Sequence, residues 1–313
     1  MNPASARRLR ANALLLAASA IWGFAFVAQR VGAESVGAFT FNAVRFAMGA
    51  VALLPVVWWL DRRRGVSREV RRTATRAVVL PGLLTGTLLA VAVGMQQVAM
   101  SHTTAGNAAF ITGLYMVLVP LVAAFRGHRS SWTTIAGIAL ALVGLYLLAV
   151  TDGFRIGFGD AIVLASTFVW TAQILVIEHY SRRLSALRFS IAQFAWCAVV
   201  SLPAALLLDA APFTGLVDGL VPLLYGGLIS VAIAYTLQVV AQRDALASHA
   251  ALIMSGEALF GAIGGALLLG ENMGVRGYLG AALMAAGIVV AQLRPAGATP
   301  IRVGEAGSPA ALT

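Results

Sequence analysis

The chain contains no lysine. All 22 of its basic residues are arginines, set against 12 acids, for a formal charge of +10. It has one cysteine, Cys197, inside an apolar run, which excludes an intramolecular disulfide and metal sites built from four cysteines. Four scattered histidines give no metal-ligand spacing. There is no G-x-x-x-x-G-K-[ST] loop to cradle ATP and no H-E-x-x-H, and no Ser/His/Asp set falls on one visible face. No enzyme activity, cofactor or metal is expected. Charge is scarce too, at 11% of residues, where a soluble domain carries about 25%. What fills the sequence instead is apolar: 60% hydrophobic residues and a mean hydropathy of +0.87. That is the composition of a polytopic membrane protein. The pI of 11.1 could indicate nucleic acid, but the arginines stand in short tracts between apolar runs, so none is expected as a partner.

Ten apolar segments can be drawn, at about 12–32, 37–60, 77–100, 104–125, 132–150, 159–178, 187–208, 217–240, 247–270 and 275–292. Each approaches the roughly 20 residues that cross hydrocarbon as a helix. Loops are short except 61–76, DRRRGVSREVRRTATR, and the Gly/Ala/Pro-rich tail from Pro295 reads as disordered. Ala18-Ser19-Ala20 mimics a signal-peptidase site behind Arg7, Arg8 and Arg10. The run continues through Trp22 to Val31, so a retained first helix is preferred to a cleaved signal.

Arginine placement sets orientation. With the N-terminus inside, the long loop and the tracts at Arg126/Arg129, Arg182/Arg183/Arg188 and Arg243 all fall inside, and only Arg155 and Arg276 fall clearly outside. Both termini are then cytoplasmic, which an even helix count permits. The two halves also match. Trp22 and Trp170, Pro55 and Pro203, and Asp61 and Asp209 are each 148 residues apart. Pro81 and Pro222, and Gln97 and Gln238, are 141 apart. Asn107-Ala108-Ala109 and His249-Ala250-Ala251 are 142 apart, and Gly137/Gly144 and Gly280/Gly287 are 143 apart. Duplicating an odd number of helices flips the second copy. The predicted architecture is therefore an all-α polytopic membrane protein of ten transmembrane helices in two inverted five-helix repeats, 1–150 and 151–294, with a cytoplasmic tail at 295–313. Inverted repeats belong to transporters whose substrate site lies near the bilayer midplane between the copies.

Several stretches resemble a known family. They are Ile21-Trp22-Gly23 with Val31-Gly32, then Arg45-Phe46, then Thr104-Ala105-Gly106-Asn107-Ala108-Ala109-Phe110-Ile111. Ala251-Leu252-Ile253 through Glu257 and Leu267-Leu268-Leu269-Gly270-Glu271 complete the pattern. In that order and spacing the chain resembles the drug/metabolite transporter superfamily, EamA type, over nearly all ten segments. The resemblance implies a ten-helix carrier moving small organic metabolites, often outward, through a central cavity. Two positions depart from the family pattern. Arg126-Gly127-His128-Arg129 replaces a Gly-Glu, and Ala258 stands where a proline often follows the glutamate, which predicts a straighter ninth segment.

Glu257 is the first candidate for chemistry. A carboxylate at mid-bilayer costs about 2.5–3.5 kcal/mol, so it turns toward other helices or a wet cavity. There it can exchange protons, pair with a substrate amine, or serve a structural or gating role. Gln97 and Gln238 suit a midplane site or interhelical bonding equally, and Gln96, next to Gln97, must point elsewhere. Trp22, Tyr115, Trp170, Gln173 and Tyr235 fall deep in their segments, where aromatics can wall a cavity or pack a core. Asn107, His249 and Arg45 are gate candidates. For the first two, ordinary interfacial bonding is the favoured reading. Arg45 could bind an anionic substrate group or Glu257, but lying close to the outer face it is expected to snorkel, capping carbonyls or pairing with Glu34. Glu178 is expected in a surface ion pair. Small-residue rows such as Gly82–Gly86, Gly261–Gly265 and Gly137–Gly144 read as packing, and those of the fifth and tenth segments leave a homodimer open. The expected function is a secondary transporter, in the export direction, of small amphipathic metabolites such as amino acids or drug-like compounds. It would sit in the inner membrane, with a small-molecule substrate and membrane lipid as partners. The alternatives are an intramembrane enzyme on lipid-linked substrates and a non-transporting membrane sensor or scaffold.

Overall fold

The computed structural model describes residues 3–99, 102–103, 105–125, 127, 130–149, 157–269 and 274–293. The tail from 295, the residues Arg126, His128 and Arg129, and the side chain of Asn107 lie outside the described residues. Where hydrocarbon replaces water, backbone amides must bond within their own segment, and the described residues are helical with no strand among them. Helices α1 (Pro3–Ala33), α2 (Ala38–Arg63), α3 (Arg68–Ala77) and α4 (Val79–Ala99) come first. They are followed by α5 (Ala105–Gly113), α6 (Tyr115–Phe125), α7 (Trp132–Ala149), α8 (Phe158–Ser181) and α9 (Ala186–Leu208). The chain ends with α10 (Leu220–Leu224), a π-helical stretch (Tyr225–Tyr235), α11 (Thr236–Ala241), α12 (Ala247–Met254), α13 (Glu257–Leu269) and α14 (Gly274–Val290). Among the described residues, 7 spans are long and apolar enough to cross a membrane, and Phe110–Phe125, Trp132–Leu148 and Gly274–Val290 are shorter apolar helices. The chain is a multi-pass membrane protein.

Three local features depart from the sequence reading. The long loop contains helix α3, which begins where the Ser67 hydroxyl accepts the Val70 amide at 3.3 Å. The fourth segment is broken at Leu114, and the ninth at Ser255–Gly256, although the missing proline at Ala258 predicted a straighter ninth segment. Both breaks are single tightened turns. Leu114 N donates to Ile111 O at 3.2 Å, and Gly256 N to Ile253 O at 3.2 Å, each one residue short of the α-helical partner. At the second break the Ser255 hydroxyl bonds back to Leu252 O at 2.7 Å. A serine followed by a glycine replaces the proline as the local cause. Finally, the span Leu220–Ala241 is π-helical over Tyr225–Tyr235, whereas its sequence counterpart α4 is regular α-helix.

Helices α2 and α9 run antiparallel and are joined at both ends. The end of α2 supplies Asp61, whose two oxygens each accept Arg188 Nη2 at 2.7 Å at the start of α9. The end of α9 supplies Asp209, which accepts the Phe39 and Thr40 amides at 3.2 and 2.7 Å at the start of α2. Helices α7 and α14 also pack antiparallel, with Gly137 against Gly287 and Gly144 against Gly280. A Cβ on Gly137 would lie 2.5 Å from Gly287 O, and one on Gly280 would lie 2.6 Å from Gly144 O. The small-residue rows of the fifth and tenth segments thus meet each other within one chain. Two apolar clusters flank the centre. One is built on Leu15, Met116, Leu145 and Met284, the other on Phe46, Leu89, Phe194 and Val231. Trp22 and Trp170 pack against both.

Candidate functional site

Glu257 is the first residue of α13 and Tyr115 the first of α6, so each stands immediately after a break. The Tyr115 hydroxyl donates to Glu257 Oε1 at 3.1 Å, and the two residues are 142 apart, the spacing by which the sequence pairs these two segments. Carbonyls at the breaks are also served reciprocally. Ser19 Oγ of α1 donates to Met254 O at 3.3 Å, and Thr167 Oγ1 of α8 donates to Ile111 O at 3.0 Å. Ser19 and Thr167 are themselves 148 apart. Each broken helix is therefore held by a hydroxyl from the opposite half of the chain.

Glu257 faces a hollow lined by residues from both halves of the chain. Trp22, Phe26, Gln29, Arg45, Val93, Gln96, Thr112 and Tyr115 line it from one half of the chain. Trp170, Gln173, Ile174, Ser230, Tyr235, Gln238, Met254 and Glu257 line it from the other. The aromatic wall is continuous. Tyr235 lies 4.6 Å from Trp22 between ring centroids, and stacks at 6.5 Å and 15° on Trp170. Arg45 lines the same hollow at 4% exposure, its guanidinium 5.4 Å above Phe41 and 5.0 Å above Phe46. Among the described residues Arg45 and Glu257 form no ion pair, with each other or with any other side chain. Among the described residues, several lining atoms have no hydrogen-bond partner: the Trp22 and Trp170 indole nitrogens, both amide atoms of Gln173, Gln238 Oε1 and Thr112 Oγ1. Buried polar atoms are normally bonded. Here they converge on one concave, largely aromatic space, the usual form of a small-molecule site.

The sequence candidates divide. Glu257, Gln238, Trp22, Tyr115, Trp170, Gln173 and Tyr235 come together around the hollow. Gln97 is buried off the lining and Gln96 takes its place, the reverse of the expectation, because one residue turns a helix by about 100°. Arg45 points inward rather than to the interface, and makes no pair with Glu34 among the described residues. His249 lies away from the hollow and shares a 3.0 Å hydrogen bond between its Nε2 and Thr134 Oγ1. Asn107 falls in the first turn of α5. Glu178 forms no surface ion pair among the described residues but accepts the Ala247 amide at 3.0 Å, capping α12. That bond, with Gln242 Nε2 to Ile174 O at 3.1 Å and Arg243 to Leu184 O, ties α11 and α12 to α8 and its following turn. Gln29, Gln96, Thr112 and Ser230 were not foreseen. The two glutamines were readable as polar side chains inside apolar runs. The small hydroxyls carry no such signal.

Comparison with known proteins follows the same lines. The family model described as "EamA-like transporter family" matches residues 9–150 and again 157–292. A protein named "Uncharacterized transporter" from Archaeoglobus fulgidus is 28% identical over 290 residues, 92% of this chain and 87% of its own length. A "Probable terminal-alkyne amino-acid exporter" from Streptantibioticus cattleyicolor is 31% identical over 156 residues, 47% of this chain and 48% of its own. A protein of solved crystal structure shares the fold with a TM-score of 0.75 at 17% identity, over 90% of this chain and 96% of that one.

Proposed function

Since the chain belongs to the EamA-like transporter family, we propose that it is a secondary active transporter exporting small amphipathic metabolites, amino acids or drug-like compounds among them, across the inner membrane. The carrier works by alternating access between two inverted five-helix repeats, with both termini in the cytoplasm. Its substrate occupies the hollow beneath Trp22, Trp170 and Tyr235. The observation that carries this reading is that a carboxylate, Glu257, and a guanidinium, Arg45, line one aromatic space with no ion pair to either among the described residues. Charges held in such a site suit a ligand that brings its own, with an ammonium toward Glu257, an acidic group toward Arg45, and an apolar body on the rings. A relative named as an amino-acid exporter, alike over about half of each chain, supports the same class.

Mechanically, the broken helices supply hinges. Glu257 and Tyr115 sit where both breaks meet, so a ligand ammonium or a proton taken by the carboxylate competes with the tyrosine. It thereby changes the contact between the two moving helices. The test is a metabolite and toxic-analogue screen in cells expressing the protein, repeated with Glu257→Gln. Expression should raise export of, or resistance to, at least one compound, and the variant should fold yet lose that transport or its dependence on pH. Unchanged transport by the variant at every pH removes Glu257 from the mechanism.

A further inference from the structure

Helix α3, REVRRTATRA, has no buried side chain. At about 100° per residue its Val70, Ala74 and Ala77 share one narrow stripe, and Arg68, Arg72 and Arg76 form an i, i+4, i+8 row on the opposite face. Those three arginines make no ion pair among the described residues, and Glu69 is the only acid on the helix. The neighbouring end of α2 continues the pattern. Trp58 and Trp59 are 50% and 47% exposed, with the Arg62 guanidinium 3.9 Å above the first ring and that of Arg63 4.2 Å above the second. A guanidinium stacked on an indole keeps its N–H edge free to fork onto phosphate. Half-exposed tryptophans at the end of a spanning helix are the usual mark of the headgroup level of a bilayer, which would set these arginines at the depth of lipid phosphates.

We infer that α3 and the last turn of α2 form a docking surface for anionic lipid headgroups. The helix lies along the bilayer surface, its Val70–Ala74–Ala77 stripe toward the acyl boundary and its arginine row on phosphodiesters. The stripe and the tryptophans favour lipid over a soluble polyanion, since an amphipathic basic helix beside a spanning segment gains from both the apolar and the charged layers. The surface is wired to the bundle. Arg71 of α3 reaches Asp61 at 3.2 Å, and the same carboxylate holds Arg188 of α9 at 2.7 Å. Lipid bound along α3 therefore steadies the α2–α9 junction.

The inference stands apart from the transport proposal because its readout is stability and lipid retention. The full chain is reconstituted in phosphatidylcholine vesicles with and without phosphatidylglycerol. Thermal midpoint and co-purifying lipid are then compared for the wild type, for Arg68→Gln/Arg72→Gln/Arg76→Gln, for Arg72→Gln alone, and for Arg182→Gln/Arg183→Gln as a charge control. The wild type should melt several degrees higher with phosphatidylglycerol and retain it. The triple variant should lose most of that shift and on the order of tenfold or more of the retained lipid. Arg72→Gln should move partway in the same direction, and the control should match the wild type. Equal responses in wild type and both α3 variants, or an equal loss in the control, overturn the inference. So does reproduction of the shift by inorganic phosphate in phosphatidylcholine alone, which would make this a free-anion site.

Discussion

On the proposed mechanism the Tyr115–Glu257 contact is where ligand or proton meets the moving helices. A hydrogen bond to an ionisable group contributes about 1.5–3 kcal/mol, enough to bias two helix positions by tenfold or more. Tyr115→Phe keeps the ring and removes only the bond to Glu257. It should fold normally and slow transport by roughly tenfold, while adding little in a Glu257→Gln background. Transport rates in reconstituted vesicles for the two singles and the double decide this, and equal effects in both backgrounds would separate the residues. Glu257 was legible in the sequence because an acid amid apolar residues has few places to go. Gln97 misled for the opposite reason. In a segment that is apolar all round, the pattern carries no mark of which face turns inward, and Gln96 won the cavity by one step of rotation.

At the scale of elements, the two aspartates that end α2 and α9 do the same job by different means. Asp61 neutralises a nearly buried arginine, and Asp209 caps a helix with backbone amides. Breaking a buried pair costs about 3 kcal/mol or more, and losing a cap about 1 kcal/mol. Asp61→Asn should therefore lower the thermal midpoint in detergent clearly more than Asp209→Asn, and the reverse order would mean that Arg188 finds another anion. The extents of the helices followed from apolar run lengths, because the bilayer fixes how much greasy chain is needed. Helix α3 was hidden by its charge. Its signals were Ser67 as a cap and Val70, Ala74 and Ala77 at helical spacing, both drowned by arginines. The breaks at Leu114 and Ser255–Gly256 were missed because an isolated serine, glycine or leucine does not announce a tightened turn.

For the whole molecule, Asp61 and Asp209, paired by spacing in the sequence, turn up in reciprocal contacts across the bundle, and the structure adds Ser19 and Thr167, and Tyr115 and Glu257, at the same offsets. Rare residue types made that spacing readable. The π-helical widening at Tyr225–Tyr235, which its counterpart lacks, was not. Membrane sidedness is directly testable because the single native cysteine is buried. With Cys197 replaced by alanine, a cysteine at Thr75 should react with an impermeant maleimide only after cells are opened. A cysteine at Ala211, at the other end of the bundle, should react in intact cells. Labelling of both from outside, or the opposite pattern, contradicts an inward N-terminus.

The unlike chemistry of residues 115 and 257 bears on ancestry. On the inverted-repeat reading, a pair of identical second halves would set carboxylate against carboxylate at the shared axis, where like charges disfavour one another. A pair of first halves would set phenol against phenol, with no acid to answer it. On that reading neither half could stand in for its sibling at that point, and only a chain carrying both sets an acid opposite a phenol.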